Sequence, residues 1–310
     1  MALLPANPGQ ALWIGADSGK YHCNIGIGGP GGDLDHTDYS QSAIEDGFTL
    51  ANYFYLDANG DVVFRQLVEN GRTSENTKYS RTELRELLPN GSDKAAWNSG
   101  SGTSSDEAIS KIDHVPSAKP WVVFFQVHDP DSDFFRVQTE NGAIVCRRTP
   151  PGGSEIRTVL RSSYTIGAWI SWKWQFTSGR LQIWLDGTVA LDVTGMSKTG
   201  CYAKLGCYNQ VNNRSDGGGA ATGEYCQVTI QRGSLKRVRS GYPASTTPVF
   251  TGGTDPGGGP GGGDGTPDTQ PPSSPTGLTV TPEGSGLRLN WNPSTDNVGV
   301  DHYNIYRSGG

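Results

Sequence analysis

Apolar residues in this chain recur at every second position, in short runs cut by turn signals, and that period dictates strands. Trp172, Trp174 and Phe176 alternate with Lys173 and Gln175; Ser178-Gly179 then turns the chain, and Leu181, Ile183 and Leu185 follow up to Asp186-Gly187. A second hairpin is predicted where Phe48–Tyr55 leads through Asp57-Ala58-Asn59-Gly60 into Val62–Phe64. No long stretch keeps the 3.6-residue period of a helix. The 44 Gly and 19 Pro among 310 residues exclude a helical bundle or coiled coil, because both residues break helix interiors. The pattern predicts an all-β fold, a two-sheet antiparallel sandwich of the jelly-roll kind. A short helix is expected around Ala43–Glu45 or Glu107–Ile112.

Composition changes abruptly near residue 245. Residues 245–275 are dense in Gly, Pro and Ser with almost no apolar side chains, too little surface to bury, so they read as a flexible linker. The linker separates a body, residues 1–244, from a tail, residues 276–310. In the tail Leu278 and Val280, then Leu287, Leu289 and Trp291, then Tyr303 and Ile305 alternate at period two. With its Trp291 and the loop Ser294–Val300, the tail resembles the opening strands of a fibronectin type III domain. Such a sandwich takes about 100 residues, so a truncated Ig-like fragment of a longer protein is expected.

A net charge of −6 argues against a nucleic-acid partner, since neutralising phosphates needs a basic surface. No apolar run is long enough to span a membrane. Met1-Ala2-Leu3-Leu4-Pro5-Ala6 lacks the basic start and apolar length of a signal peptide. That start fits a cytosolic protein or a secreted one whose leader has been removed. Cys23, Cys146, Cys201, Cys207 and Cys226 show no CxxC spacing, which weakens a zinc reading, and no metal or cofactor is expected. Cys201 and Cys207 on one extended strand would stand about 20 Å apart, too far to bond. The pairing otherwise stays open, two disulfides and one spare thiol among the options.

Three predicted strands have an unusually polar face. In Tyr79–Leu87, Arg81, Glu83 and Arg85 point the same way. In Trp121–Pro130, Gln126 and His128 share a face, while Val123, Phe125 and Val127 are expected in the core. In Tyr202–Gln210, Tyr202, Lys204, Tyr208 and Gln210 share a face, with Ala203, Leu205 and Cys207 inward. Each strand alone has an ordinary explanation: surface ion pairs of little energetic value, a hydrogen-bonded structural His, stems of Tyr and Lys covering apolar surface. As neighbours, the three form a groove with three cations, two amides, a His and two tyrosines, suited to a polar anion. A uronic acid polymer is such an anion. Its cleavage by β-elimination needs a group that stabilises the carboxylate as enolate-like charge develops, a base for the α proton and an acid for the leaving oxygen. Gln126 and Arg81 suit the first task, and His128 and Tyr208 the others. Lys204 or Arg85 is expected to lower the Tyr208 pKa.

Arg81-Thr82-Glu83-Leu84-Arg85, Gln126-Val127-His128 and Tyr202-Ala203-Lys204-Leu205-Gly206-Cys207-Tyr208-Asn209-Gln210 together resemble the three signature strands of polysaccharide lyase family seven, the alginate lyases. The resemblance covers roughly residues 10–240 and implies a concanavalin-like jelly roll with the signatures on one concave sheet. It implies Arg81 and Gln126 at the carboxylate and His128 and Tyr208 as proton-transfer residues, without a metal. Arg85, Lys204, Asn209 and Gln210 would hold sugars, and Glu83, flanked by arginines, would be a structural clamp. Two positions depart from the pattern: Ala203 and Leu205 stand where an aromatic and a small residue are usual. Val127 is associated in this family with mannuronate-rich polymer, Ile with guluronate-containing polymer.

A non-catalytic carbohydrate-binding jelly roll needs groove aromatics but no acid, base and carboxylate neutraliser together. A glycoside hydrolase needs two placed carboxylates, and Glu83 is the one acid on these faces. A lyase for another uronan, such as glucuronan, shares the same carboxylate chemistry. A linker and fibronectin-like tail are typical of secreted modular enzymes, so an extracellular monomer acting on an anionic polysaccharide is expected.

Overall fold

The computed structural model describes residues 5–14, 21–214, 218–240, 273–283 and 286–295. They fall into a large unit within residues 4–249 and a small unit in the C-terminal segment. Strands dominate both. In chain order they are β1 (Cys23–Gly28), β2 (His36–Tyr39), β3 (Phe54–Leu56), β4 (Val62–Leu67), β5 (Arg81–Glu86) and β6 (Thr103–His114). There follow β7 (Val122–His128), β8 (Asp133–Glu140), β9 (Ala143–Arg148), β10 (Ile156–Arg161), β11 (Trp169–Thr177) and β12 (Arg180–Leu185). The last are β13 (Thr188–Val193), β14 (Tyr202–Asn209), β15 (Tyr225–Ile230), β16 (Lys236–Arg239), β17 (Thr276–Glu283) and β18 (Gly286–Asn292).

Two antiparallel sheets make the large unit. One runs β10-β9-β8-β7-β14-β5-β1-β2; the other runs β13-β12-β11-β6-β15-β4-β3, with β16 also paired to β6. Tight turns set the hairpins. Asn141-Gly142, Ser178-Gly179 and Asp186-Gly187 each have two consecutive positive φ values, the twist that two-residue hairpin loops need. Alternation then sends Trp172, Trp174 and Phe176 of β11 and Leu181, Ile183 and Leu185 of β12 into one core. There they meet Phe125, Phe134 and Phe135 of the facing sheet; Phe125 stacks on Trp172 at 4.2 Å between ring centroids. Burying each such side chain contributes about 1.5–3 kcal/mol.

Local departures from the expected pattern have physical causes. The one-turn helix Gln41–Glu45 forms with Ser40 as its N-cap, whereas Glu107–Ile112 is part of β6. There Ala108, Ser110 and Ile112 are buried and Glu107 and Lys111 are not, and pairing to β11 and β15 makes the period-two reading win. The β3–β4 hairpin starts at Phe54, not Phe48, whose ring instead stacks on Tyr39 at 4.0 Å. In β7 a bulge breaks the alternation, because Val123 faces Gln138 but Phe125 faces Val137. Val122, Phe124, Phe125 and Val127 therefore enter the core cluster, and Val123 is fully buried outside it.

Two covalent and ionic ties join the sheets. Cys207 of β14 is disulfide-bonded to Cys226 of β15, and Cys23, Cys146 and Cys201 are buried thiols. Buried Glu86 of β5 accepts from Trp97 Nε1 (2.9 Å) and Arg239 Nε (2.8 Å), and Arg237 and Arg239 also pair with buried Asp106 of β6, each at 2.9 Å. Strand β16 thus closes the domain. We expect trimming after Gly241 to leave folding and activity intact, while removal of residues 236–310 leaves Glu86 and Asp106 buried and unpaired and abolishes soluble folded protein. Thermal melts of the two truncations check this; loss of folding after Gly241 would displace the boundary.

In the small unit β17 and β18 form a two-stranded antiparallel sheet. The predicted strand at Tyr303–Ile305 and residues 245–272 of the predicted linker lie outside the described residues.

Candidate active site

The antiparallel register brings the three polar faces together. Strand β14 lies between β5 and β7: Lys204 stands opposite Arg85 on one side and Gln126 on the other, Tyr208 opposite Arg81, and Tyr202 opposite His128. Gly206 stands opposite Glu83 with φ 143°, and a Cβ there would meet the Thr82 carbonyl oxygen at 2.4 Å. Only glycine lets the two backbones approach so closely.

Glu83 is the hub. It is 2% exposed, accepts from Lys204 Nζ at 2.6 Å and Gln126 Nε2 at 2.7 Å, and lies 3.5 Å from Arg81 Nε. Burial alone would raise its pKa, but the charges of Lys204 and Arg81 and the bonds from Lys204 and Gln126 hold it below the ordinary carboxylate value. Glu83 therefore stays ionised and fixes the Gln126 amide and the Arg81 guanidinium. Burial and Arg81 pull Lys204 down to about 8 against the opposing pull of Glu83. Arg85 pairs with no carboxylate among the described residues; it lies 4.0 Å over the Tyr202 ring, and its Nε is buried without a hydrogen-bond partner. Three cations against one carboxylate leave this patch positive.

His128 and Tyr208 occupy opposite ends of the cluster. His128 stacks on Tyr202 at 5.3 Å, and its Nδ1 lies 3.0 Å from the Asp129 carbonyl oxygen. A carbonyl only accepts, so Nδ1 carries the hydrogen and Nε2 keeps its lone pair. Burial, then Lys204, lowers the His128 pKa, so the ring is neutral near pH 7. Burial raises Tyr208, outweighing Arg81, whose guanidinium lies 5.2 Å from the ring centroid. The cation beside Tyr208 is Arg81, not Lys204 or Arg85, and the phenol is a held proton donor rather than a ready phenolate. A neutral acceptor and a neutral donor thus flank a carboxylate-reading set, the complement that β-elimination requires.

One predicted sugar contact stands elsewhere, and a second is tied to the backbone. Asn209 is fully buried, its amide donating to Ser80 Oγ and the carbonyls of Gln66 and Leu67, so it fastens β14 to β4 and faces away from the groove. Gln210 is 8% exposed and donates to the Asn209 carbonyl. Beyond β7 the transverse row continues through Arg136, Arg147 and Arg157, register partners in turn. Asp133, Glu140 and Glu155 balance these three arginines, so the unspent positive charge stays at β5 and β14.

Sequence reading missed groups at both margins. Tyr79 meets Tyr208 edge-on at 6.5 Å, and Lys119 lies 5.7 Å from the Tyr79 ring and 4.3 Å from that of Trp121; the period of β5 extended back two residues would have found Tyr79. His36 and Asp38 come from β2, two strands beyond β5, and no local signal announces them.

A family model described as alginate lyase matches residues 24–237. No curated protein matches the chain. Among solved structures, alginate lyase AlgAT5 from polysaccharide lyase family 7 is 28% identical, with TM-score 0.62, covering 70% of this chain and 94% of its own. The alginate lyase from Corynebacterium sp. is 26% identical, with TM-score 0.65, covering 76% of this chain and 98% of its own. The family 7 alginate lyase AlyA1 from Zobellia galactanivorans shares the fold at 22% identity and TM-score 0.58, over 75% of this chain and 99% of its own.

Proposed function

This chain belongs to the alginate lyase family, and we propose that it cleaves 4-linked uronate polymer, alginate, by β-elimination carried out by its own side chains, leaving unsaturated uronate ends. The observation that carries this reading is the Glu83 hub. It presents the Gln126 amide and the Arg81 guanidinium side by side, within a cluster that ends in a neutral His128 at one side and a protonated Tyr208 at the other. Arg81 and Gln126 take the carboxylate of the reacting unit and stabilise the enolate-like charge. His128 Nε2, or Tyr208 once its phenol has lost its proton to solvent, removes the α proton, and the Tyr208 hydroxyl protonates the departing glycosidic oxygen. Arg85, with a donor to spare, and Lys204 hold neighbouring carboxylates.

Mannuronate-rich blocks are slightly favoured in this reading. Its support is Val127, which lies in the core between Gln126 and His128; the neutral His128 equips the site for guluronate units as well. Secretion belongs to the same reading and agrees with the Cys207–Cys226 bond, since disulfides persist in oxidising compartments. A monomer is expected on size-exclusion chromatography.

The test is incubation with polymannuronate, polyguluronate, alginate and glucuronan, following the ultraviolet absorbance of unsaturated ends and sizing the products. Alginate depolymerised with rising absorbance is expected; binding without absorbance would make the groove a carbohydrate-binding surface. Lys204 adds a pH signature. Above about pH 8 it loses its proton, the groove loses one positive charge, and KM for the polyanion is expected to rise while kcat changes less. A flat KM from pH 7 to pH 9, as measured by initial rates, would remove Lys204 from substrate attraction.

A further inference from the structure

Glycine at position 26 leaves a gap in the groove face, and an imidazole fills it. Gly26 of β1 stands opposite Glu83 on one side and Asp38 on the other. A Cβ at position 26 would lie 2.6 Å from His36 Cε1 and 2.8 Å from His36 Nε2, so the His36 ring lies over Gly26, one strand from the Glu83 hub. The His36 side chain is 9% exposed, and its Nδ1 is 3.8 Å from Asp38 Oδ1, too long for a hydrogen bond. Its Nε2 is buried with no hydrogen-bond partner. A buried polar atom without a partner is costly to keep, and beside a binding groove the substrate is the natural partner.

Resting on the lyase reading above, we propose that His36 is a further substrate-binding residue, whose Nε2 hydrogen-bonds a hydroxyl of the uronate unit lying over Gly26 and Glu83. Burial, then Arg81 and Lys204 against Asp38 and Glu83, pulls the imidazole down to about 4, so the ring is neutral at working pH. A neutral imidazole answers a hydroxyl, which both donates and accepts, where a cation would answer a carboxylate. His36 thus reads the sugar and Arg81 and Arg85 read its charge. Since hydroxyl orientation distinguishes one uronate from another, this contact contributes to the choice of polymer.

The test uses the full chain carrying Tyr208→Phe, so that a mannuronate hexamer binds without turnover, with calorimetric affinities compared after adding His36→Leu or His36→Gln. The Gln amide reaches where Nε2 stands; Leu fills the space without a polar group. Loss of one such hydrogen bond predicts about tenfold weaker binding for His36→Leu and within about threefold for His36→Gln. In the otherwise native enzyme, KM is expected to follow the same ratio with kcat little changed. Unchanged affinity in His36→Leu overturns the proposal, and so does an equal loss in both variants accompanied by a lower Tm, which marks a structural role. If the parent binds the hexamer but the native enzyme yields no unsaturated product, the lyase reading fails while the His36 comparison still decides this contact.

Discussion

Tyr208→Phe is expected to lower kcat on every uronan by about 10²–10⁴-fold, the range that one positioned proton-transfer group supplies. The substitution keeps the ring, with its contacts to Arg81 at 5.2 Å and Tyr79 at 6.5 Å, and removes only the hydroxyl. Tm should therefore stay near that of the native protein and oligosaccharide binding should persist. His128→Asn separates the two polymers. In a mannuronate unit the α proton and the leaving oxygen lie on one side of the ring, so Tyr208, acting from its phenolate form, can remove one and then protonate the other. In a guluronate unit they lie on opposite sides, and His128 must take the proton. His128→Asn is accordingly expected to abolish guluronate cleavage and leave part of the mannuronate activity. Because burial and Lys204 depress the His128 pKa, the base stays available below the ordinary imidazole range, and the acid limb of kcat/KM on polyguluronate should fall below about pH 6.5. Full activity of Tyr208→Phe on either polymer would sink the mechanism.

Glu83→Ala is expected to cost about 3–5 kcal/mol of stability, the usual consequence of leaving a buried charge without its partner. Lys204, 7% exposed and bonded to Glu83 at 2.6 Å, would be that charge. The Gln126 amide would lose its anchor at the same time, so activity should fall further than stability alone explains. Chemical denaturation read beside initial rates separates the two losses. The effect carries a pH signature: the Glu83 pKa is depressed in the fold, so its stabilisation is present above the unfolded carboxylate pKa and fades as pH falls through the folded one. A Glu83→Ala protein with native denaturation midpoint and native rate would show that the hub organises nothing.

Much of the groove was legible in the chain because a strand repeats every two residues. Arg81, Glu83 and Arg85, like Tyr202, Lys204 and Tyr208, had to share a face once their segments were strands, and Gly after Asn, Ser or Asp marked the tight hairpins. That logic is local and fails where the backbone departs from regular pairing. The β7 bulge carries Phe124 and Phe125 both into the core cluster and leaves Val123 buried outside it, and nothing in the run of apolar residues marks the slip. Asn209 follows a groove residue in sequence, but the opposite face of β14 meets Ser80 and β4, which claim its amide.

What the sequence by itself determined was the period, the turns and the residue types on each face, all consequences of backbone geometry within one strand. Tertiary structure alone decided the neighbours. Pairing β14 between β5 and β7 ties Lys204 to Glu83, sets Arg81 rather than Lys204 beside Tyr208 and leaves Arg85 with an unpaired donor. Packing β14 against β15 chose Cys226 as the partner of Cys207. Placing β2 beside β1 set His36 over Gly26. Charges and hydrogen bonds act over a few ångströms whatever the separation along the chain, so their partners are known only once the sheets are assembled.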